Sequence, residues 1–115
     1  MSVARFYKCL GDDTRLRCLL LLQARESLCV CDIVDALKLS QPKVSRHLAQ
    51  LRGCNLVNDL REGQWVYYQL HPGLAPWQST VLNDTWKALG EEKPFAEDLR
   101  RLELIEEGKV ENRCA

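Results

Sequence analysis

Apolar residues recur along this 115-residue chain in short blocks separated by polar breaks, and their period changes once from helical to strand-like and once back. Residues 3–10 are a short amphipathic helix candidate. Gly11 breaks it, and Asp12 and Asp13 supply N-capping carboxylates for a second helix from about Thr14 to Arg25. Leu16, Leu19, Leu20 and Leu22 make that helix too densely apolar for a surface position, which predicts it at the centre of the fold. Val30, Ile33, Val34 and Leu37 fall at i, i+3, i+4 and i+7, the signature of a third, short helix. Pro42, tolerated in a first helical turn, precedes Val44, Leu48 and Leu51 on one face of a fourth, and this leaves Lys43, Arg46 and Gln50 outward. Asn55, which accepts the left-handed terminating conformation, stands where that helix should stop.

From there the pattern turns strand-like. "LVNDL" and "WVYYQLH" are rich in β-branched and aromatic residues and flank "REGQ", where Gly63 can take positive φ, so they predict a hairpin. Helical spacing returns with Pro76, followed by Trp77, Val81, Leu82, Trp86 and Leu89 through residue 89. It appears again from Pro94 to about Glu107 with Phe95, Leu99, Leu102 and Ile105. The predicted order is α-α-α-α-β-β-α-α, mainly helical with one small β-hairpin. Two short helices, the second with basic and small polar groups outward, followed by a hairpin, match a winged helix-turn-helix. The length suits one such domain, expected over residues 1–90 for DNA binding and dimerisation, with a C-terminal helix and tail over 91–115.

Charge sharpens that division. Lysine plus arginine balances aspartate plus glutamate at sixteen each, so net charge favours no partner, but residues 1–90 carry 11 basic against 8 acidic groups and residues 91–115 carry 5 against 8. A mildly basic body thus bears an acidic tail. No apolar run approaches the roughly 18 residues of a membrane span, and the N-terminal stretch lacks the apolar core of an export signal, so a cytoplasmic protein without membrane attachment is expected. In that reducing setting the six cysteines are read as chemistry or core rather than as a disulfide framework.

The segments "LGDDTRLRCLLLL", "LCVCDIVDAL" and "LSQPKVSRHLAQLR" with the hairpin, spanning roughly residues 6–70, resemble the ArsR/SmtB family of metal-responsive transcriptional repressors. The resemblance implies a homodimer on a pseudo-palindromic operator in double-stranded DNA, repressing until an ion binds. Independently, Gln41, Lys43, Ser45, Arg46 and His47 are the side-chain types that read base edges and phosphates. Arg61 and Gln64, at the hairpin tip, could reach a minor groove or a phosphate.

Cys29 and Cys31 are spaced i, i+2, which in a regular helix points them apart. They can grip one ion only if the backbone is extended or bends at the helix start. The third helix begins there, and its free N–H groups and dipole favour thiolate. Soft thiolates select soft ions. The stretch resembles the arsenite and antimonite sensors of the family, in which a third cysteine follows three residues after the second; here that position is Val34. Trivalent arsenic or antimony is therefore the expected inducer, with Cys29 and Cys31 as ligands and Cys114 as the candidate third. Cys18 sits in an apolar slot and, with Cys9 and Cys54, is assigned to packing.

Four alternatives are weighed on the same residues. A cadmium- or lead-responsive repressor resembles this chain at the same Cys-x-Cys and would have to recruit Cys9. A thiol redox switch would pair Cys29 or Cys31 with another cysteine, because a Cys29–Cys31 disulfide closes too short a loop. Zinc sensing through the last helices needs several histidines, whereas only His47 and His71 exist. An enzyme is disfavoured: Cys9 and Arg15 have the spacing of an oxyanion loop, but Asp12 and Asp13 inside it would repel the anion.

Overall fold

The computed structural model describes residues 2–108; Cys114 lies outside them. Six helices and three strands follow in the order α1 (Val3–Leu10), α2 (Asp13–Ala24), β1 (Leu28–Cys29), α3 (Val30–Leu37), α4 (Gln41–Gly53), β2 (Val57–Glu62), β3 (Trp65–Leu70), α5 (Pro76–Leu89) and α6 (Phe95–Glu106). The predicted order holds, with one addition. The two-residue strand β1 pairs antiparallel with β3, Leu28 opposite Tyr68 and Cys29 opposite Tyr67, and makes a three-stranded sheet of order β1-β3-β2. Two residues show no period, so no sequence pattern could announce β1; it exists because β3 offers it an edge.

Caps fix the helix limits. The Ser2 hydroxyl accepts the Arg5 N–H at 3.1 Å, and the Asp12 carboxylate accepts the Arg15 N–H at 3.0 Å. That backbone hydrogen bond is the chief reason the Asp12 pKa lies below its ordinary value, against the opposing effect of burial; His47 and Arg15 add smaller favourable charge effects. Between α3 and α4 the chain turns through Lys38, at φ 56° and ψ 42°, and Ser40 caps α4 by accepting the Lys43 N–H. Asn55 takes φ 59° and its N–H bonds the Arg52 carbonyl at 3.0 Å, while the Leu56 N–H reaches Leu51, closing α4 as its sequence led one to expect. Glu62 pairs with Trp65 across a two-residue turn in which Gly63 adopts φ 60°.

Helix α2 is the centre of the core, with Cys18, Leu19, Leu20, Leu21 and Leu22 all buried. Around it pack Phe6 from α1, Ile33 and Leu37 from α3, Leu48 and Leu51 from α4, Val57 from β2, Leu82 from α5 and Leu102 from α6. Burial pushes the Cys18 thiol up to about 12, so it stays protonated at neutral pH and acts as a small core hydrophobe.

Helix α6 is fastened to this core by charge as well as by Leu102. Asp98, 1 % exposed, accepts from Arg17 of α2 at 2.7 and 2.8 Å and from Arg101 at 2.7 Å. The same two guanidiniums donate to the last carbonyls of α3: Arg17 to Leu37 at 2.8 Å and Arg101 to Ala36 at 2.6 Å. Helix C-terminal carbonyls have no partner within their own helix, so one buried carboxylate indirectly caps α3 through two arginines.

Candidate nucleic-acid interface and thiol site

The helix pair α3–α4 and the β2–β3 hairpin lie as in a winged helix-turn-helix, with α4 in the recognition position. The inner face of α4 is set by Val44, Leu48 and Leu51, which are fully buried, and this turns Gln41, Lys43 and Arg46 to solvent, with Ser45 half-buried beside them. His47 faces the other way. It is 9 % exposed, with Nδ1 3.6 Å from the Asp12 carboxylate and 3.5 Å from the Arg15 guanidinium. Its helical position, one residue before Leu48, places it on the seam between α4 and α2 rather than on the outer face. Arg15 meanwhile donates to Gln50 at 2.9 Å, so the α2 N-terminus braces the outer half of α4.

On the wing, Arg61 and Gln64 are both exposed. Arg61, itself exposed, lies 3.4 Å from the half-buried Asp59, a contact that constrains it weakly. Arg52 approaches the same Asp59 at 3.6 Å and so links α4 to β2.

Cys29 and Cys31 occupy the junction of these parts. Cys29 has extended backbone, φ −66° and ψ 144°, and is both the last residue of β1 and the N-cap of α3; Cys31 stands in the first turn of α3. Cys29 thus belongs to a strand and Cys31 to a helix, so the pair is not held to the divergent faces of one regular helix. Both cysteines line a cavity of about 500 Å³ together with Gln41 at the start of α4 and with Gln64 and Trp65 at the wing tip. Trp65 is 38 % exposed. Among the described residues no cluster of three or more His, Cys, Asp or Glu side chains stands ready to hold an ion, so this junction contributes two soft donors.

Sequence reasoning did not anticipate the partner of Cys9. Assigned with Cys54 to packing, it is buried as expected, yet the two form a disulfide joining α1 to the C-cap of α4. Neither residue carries a sequence signal for this, because their separation of 45 residues encodes no geometry. The oxyanion-loop reading ends here. Cys9 lies within α1, and the Arg15 guanidinium is held by the Cys9 carbonyl at 2.8 Å and the Lys8 carbonyl at 3.3 Å.

The architecture is that of a DNA-binding transcriptional regulator. Residues 12–59 match the family described as "Bacterial regulatory protein, arsR family". The chain is 46 % identical over 109 residues to the Arsenic resistance transcriptional regulator ArsR1 of Pseudomonas putida, covering 95 % of this chain and 84 % of that protein. It is 45 % identical over 83 residues to the Arsenical resistance operon repressor of Escherichia coli K12, covering 72 % and 71 %. In three dimensions it is similar to the AntR antimony-specific transcriptional repressor, with a TM-score of 0.65 at 28 % identity over 77 % of this chain and 78 % of that one. The chain belongs to the arsR family of bacterial regulatory proteins.

Proposed function

We propose that this protein is a cytoplasmic homodimeric repressor that holds operator DNA through α4 and the wing and releases it when trivalent arsenic or antimony engages Cys29 and Cys31. One observation carries the reading: the two thiols share a single cavity with Gln41 of the recognition helix and Gln64 of the wing. The names of its relatives, which act in arsenic resistance or respond to antimony, agree with the soft donor set. No helix among the described residues is long and apolar enough to cross a membrane.

On DNA, Gln41, Lys43, Ser45 and Arg46 present donors and acceptors to a major groove, Arg61 and Gln64 reach the flanking backbone, and His47 positions α4 from behind. A trivalent arsenic or antimony centre, when bound, supplies a soft acceptor for two or three thiolates. Cys29 and Cys31 each give up a proton to bind, and Cys114 is the candidate third donor. Drawing the sulfur of a strand residue and that of a helix residue to one point pulls β1, and through its Tyr67 pairing the wing, against the first turn of α3. DNA and inducer therefore favour different arrangements of one junction, and their binding opposes each other.

Arg46→Ala is expected to weaken specific operator binding by about 10- to 100-fold while far-ultraviolet circular dichroism stays unchanged. Equal affinity of variant and wild type across a salt titration would remove α4 from the major groove. Titrating arsenite, antimonite and cadmium separately against preformed protein–DNA complex tests the inducer, and release by cadmium alone would overturn the metalloid assignment.

Dimerisation is assigned to α1 and α5. Phe6 and Tyr7 pack on Trp77 with ring centroids 4.9 and 6.3 Å apart, yet Val3, Tyr7 and Trp77 remain 60, 50 and 41 % exposed, an aromatic face to be covered by a second copy. Sedimentation at micromolar concentration should give twice the chain mass, and Trp77→Glu should shift it to the monomer.

A further inference from the structure

The Cys9–Cys54 pair stands apart from the site proposed above. The cavity holding Cys29 and Cys31 lies at the first turn of α4, whereas Cys54 caps its far end, and a 13-residue helix separates the two by about 20 Å. The pair opens on a second cavity of about 640 Å³, lined by Arg5, Lys8, Arg15 and Gln50 besides the two cysteines, with three cations and no carboxylate on its wall. Arg5 and Arg15 are partly engaged, Arg5 donating to the Gly53 carbonyl at 3.0 Å and Arg15 to Gln50 and the Cys9 carbonyl. The exposed Lys8 ammonium completes the positive wall.

We propose that this cavity is a thiol–disulfide exchange site for a small anionic thiol and its disulfide, giving the regulator a redox input separate from its inducer site. The thiolate of the small molecule attacks one sulfur of the pair; the Cys9–Cys54 bond breaks, a mixed disulfide forms, and the displaced cysteine thiolate takes up a proton. A second small thiolate then attacks the mixed disulfide, the small-molecule disulfide departs, and both cysteines are thiols after a two-electron reduction. The reverse sequence, with the small-molecule disulfide as oxidant, restores the link. Cations on the wall draw a carboxylate-bearing thiol in preference to a neutral one.

The link matters because of what it joins. Helix α1 packs Phe6 on Trp77 of α5, and Cys54 is the C-cap of α4. In the disulfide state the recognition helix is covalently fixed to α1; in the dithiol state that covalent tie is gone and non-covalent contacts, among them the Arg5 and Arg15 hydrogen bonds, hold that end. A helix fixed beforehand loses less freedom on docking, so the disulfide form holds operator DNA more tightly.

The test uses the full chain equilibrated with mixtures of reduced and oxidised glutathione, alkylated, and mapped by mass spectrometry, with operator affinity read by fluorescence anisotropy in the same samples. Cys9 and Cys54 should become protected and exposed together, with operator affinity at least about fivefold higher in the oxidised sample. Cys9→Ser and Cys54→Ser should each fix the weaker affinity, abolish the response, and accumulate a glutathione adduct on the remaining cysteine. Exchange with reduced glutathione should outpace that with neutral mercaptoethanol by at least about threefold at low salt, an advantage lost in Lys8→Glu. Alkylation of both cysteines under the most oxidising mixture, or equal affinities across all mixtures, overturns the switch. Equal rates for the two small thiols overturn the anionic ligand. Because the wild-type chain alone gives the first two readouts, a misfolded variant cannot rescue or sink the proposal. Arsenite release is read separately, so failure here leaves the Cys29–Cys31 site standing.

Discussion

Cys29→Ser and Cys31→Ser proteins are each expected to bind operator within about twofold of wild type and yet to show no release at arsenite or antimonite concentrations about a hundredfold above the wild-type midpoint. Serine keeps the size of cysteine and loses the soft donor, so the fold of the β1–α3 junction should survive while its response disappears. Cys114→Ser divides the remaining possibilities. A large loss of response makes Cys114 the third donor, and an unchanged response leaves a two-thiolate site. Cys18→Ala should respond normally, since its buried thiol, with a pKa raised to about 12, has no part in binding. If both serine variants at positions 29 and 31 still released DNA, the junction would not be the sensor.

The second large effect concerns stability. Asp98→Ala should destabilise the fold by about 3–5 kcal/mol, because it removes the buried carboxylate that the half-buried guanidiniums of Arg17 and Arg101 share and loosens their hold on the α3 carbonyls. For a domain of this size that lowers the thermal midpoint by roughly 10 °C or more, readable by calorimetry. The exposed pair Arg25–Glu106, at 2.8 Å, provides the contrast. Hydrogen bonding to Arg25 holds the Glu106 pKa below its ordinary value, so any contribution is present at neutral pH and is lost as pH falls through that lowered value. Solvent screening keeps it below about 1 kcal/mol, and Glu106→Gln should barely move the midpoint. A shift for Glu106→Gln as large as that for Asp98→Ala would contradict this ranking of buried over exposed pairs.

Wherever a signal is local and periodic, the chain alone was sufficient. The six helices, the stop at Asn55, the turn at Gly63 and the central place of α2 follow from side-chain spacing and from the few residues that tolerate left-handed backbone. The outward set of Lys43, Arg46 and Gln50 follows too, since Val44, Leu48 and Leu51 leave α4 only one way to face. Tertiary structure decided what depends on neighbours distant in sequence. The strand β1 exists only against β3, and it gives Cys29 the extended backbone that brings both thiols to one cavity. His47 turned inward because Asp12 and Arg15 meet it there. Asp98, read simply as part of an acidic segment, became the most buried charge among the described residues because two arginines that also hold the open carbonyls of α3 surround it. Cys9 and Cys54 looked like separate core residues until α1 was laid across the end of α4. Spacing along the chain specifies which face a residue shares with its near neighbours; a partner 45 or 81 residues away is set only when whole elements pack, because that geometry is a property of the assembled core.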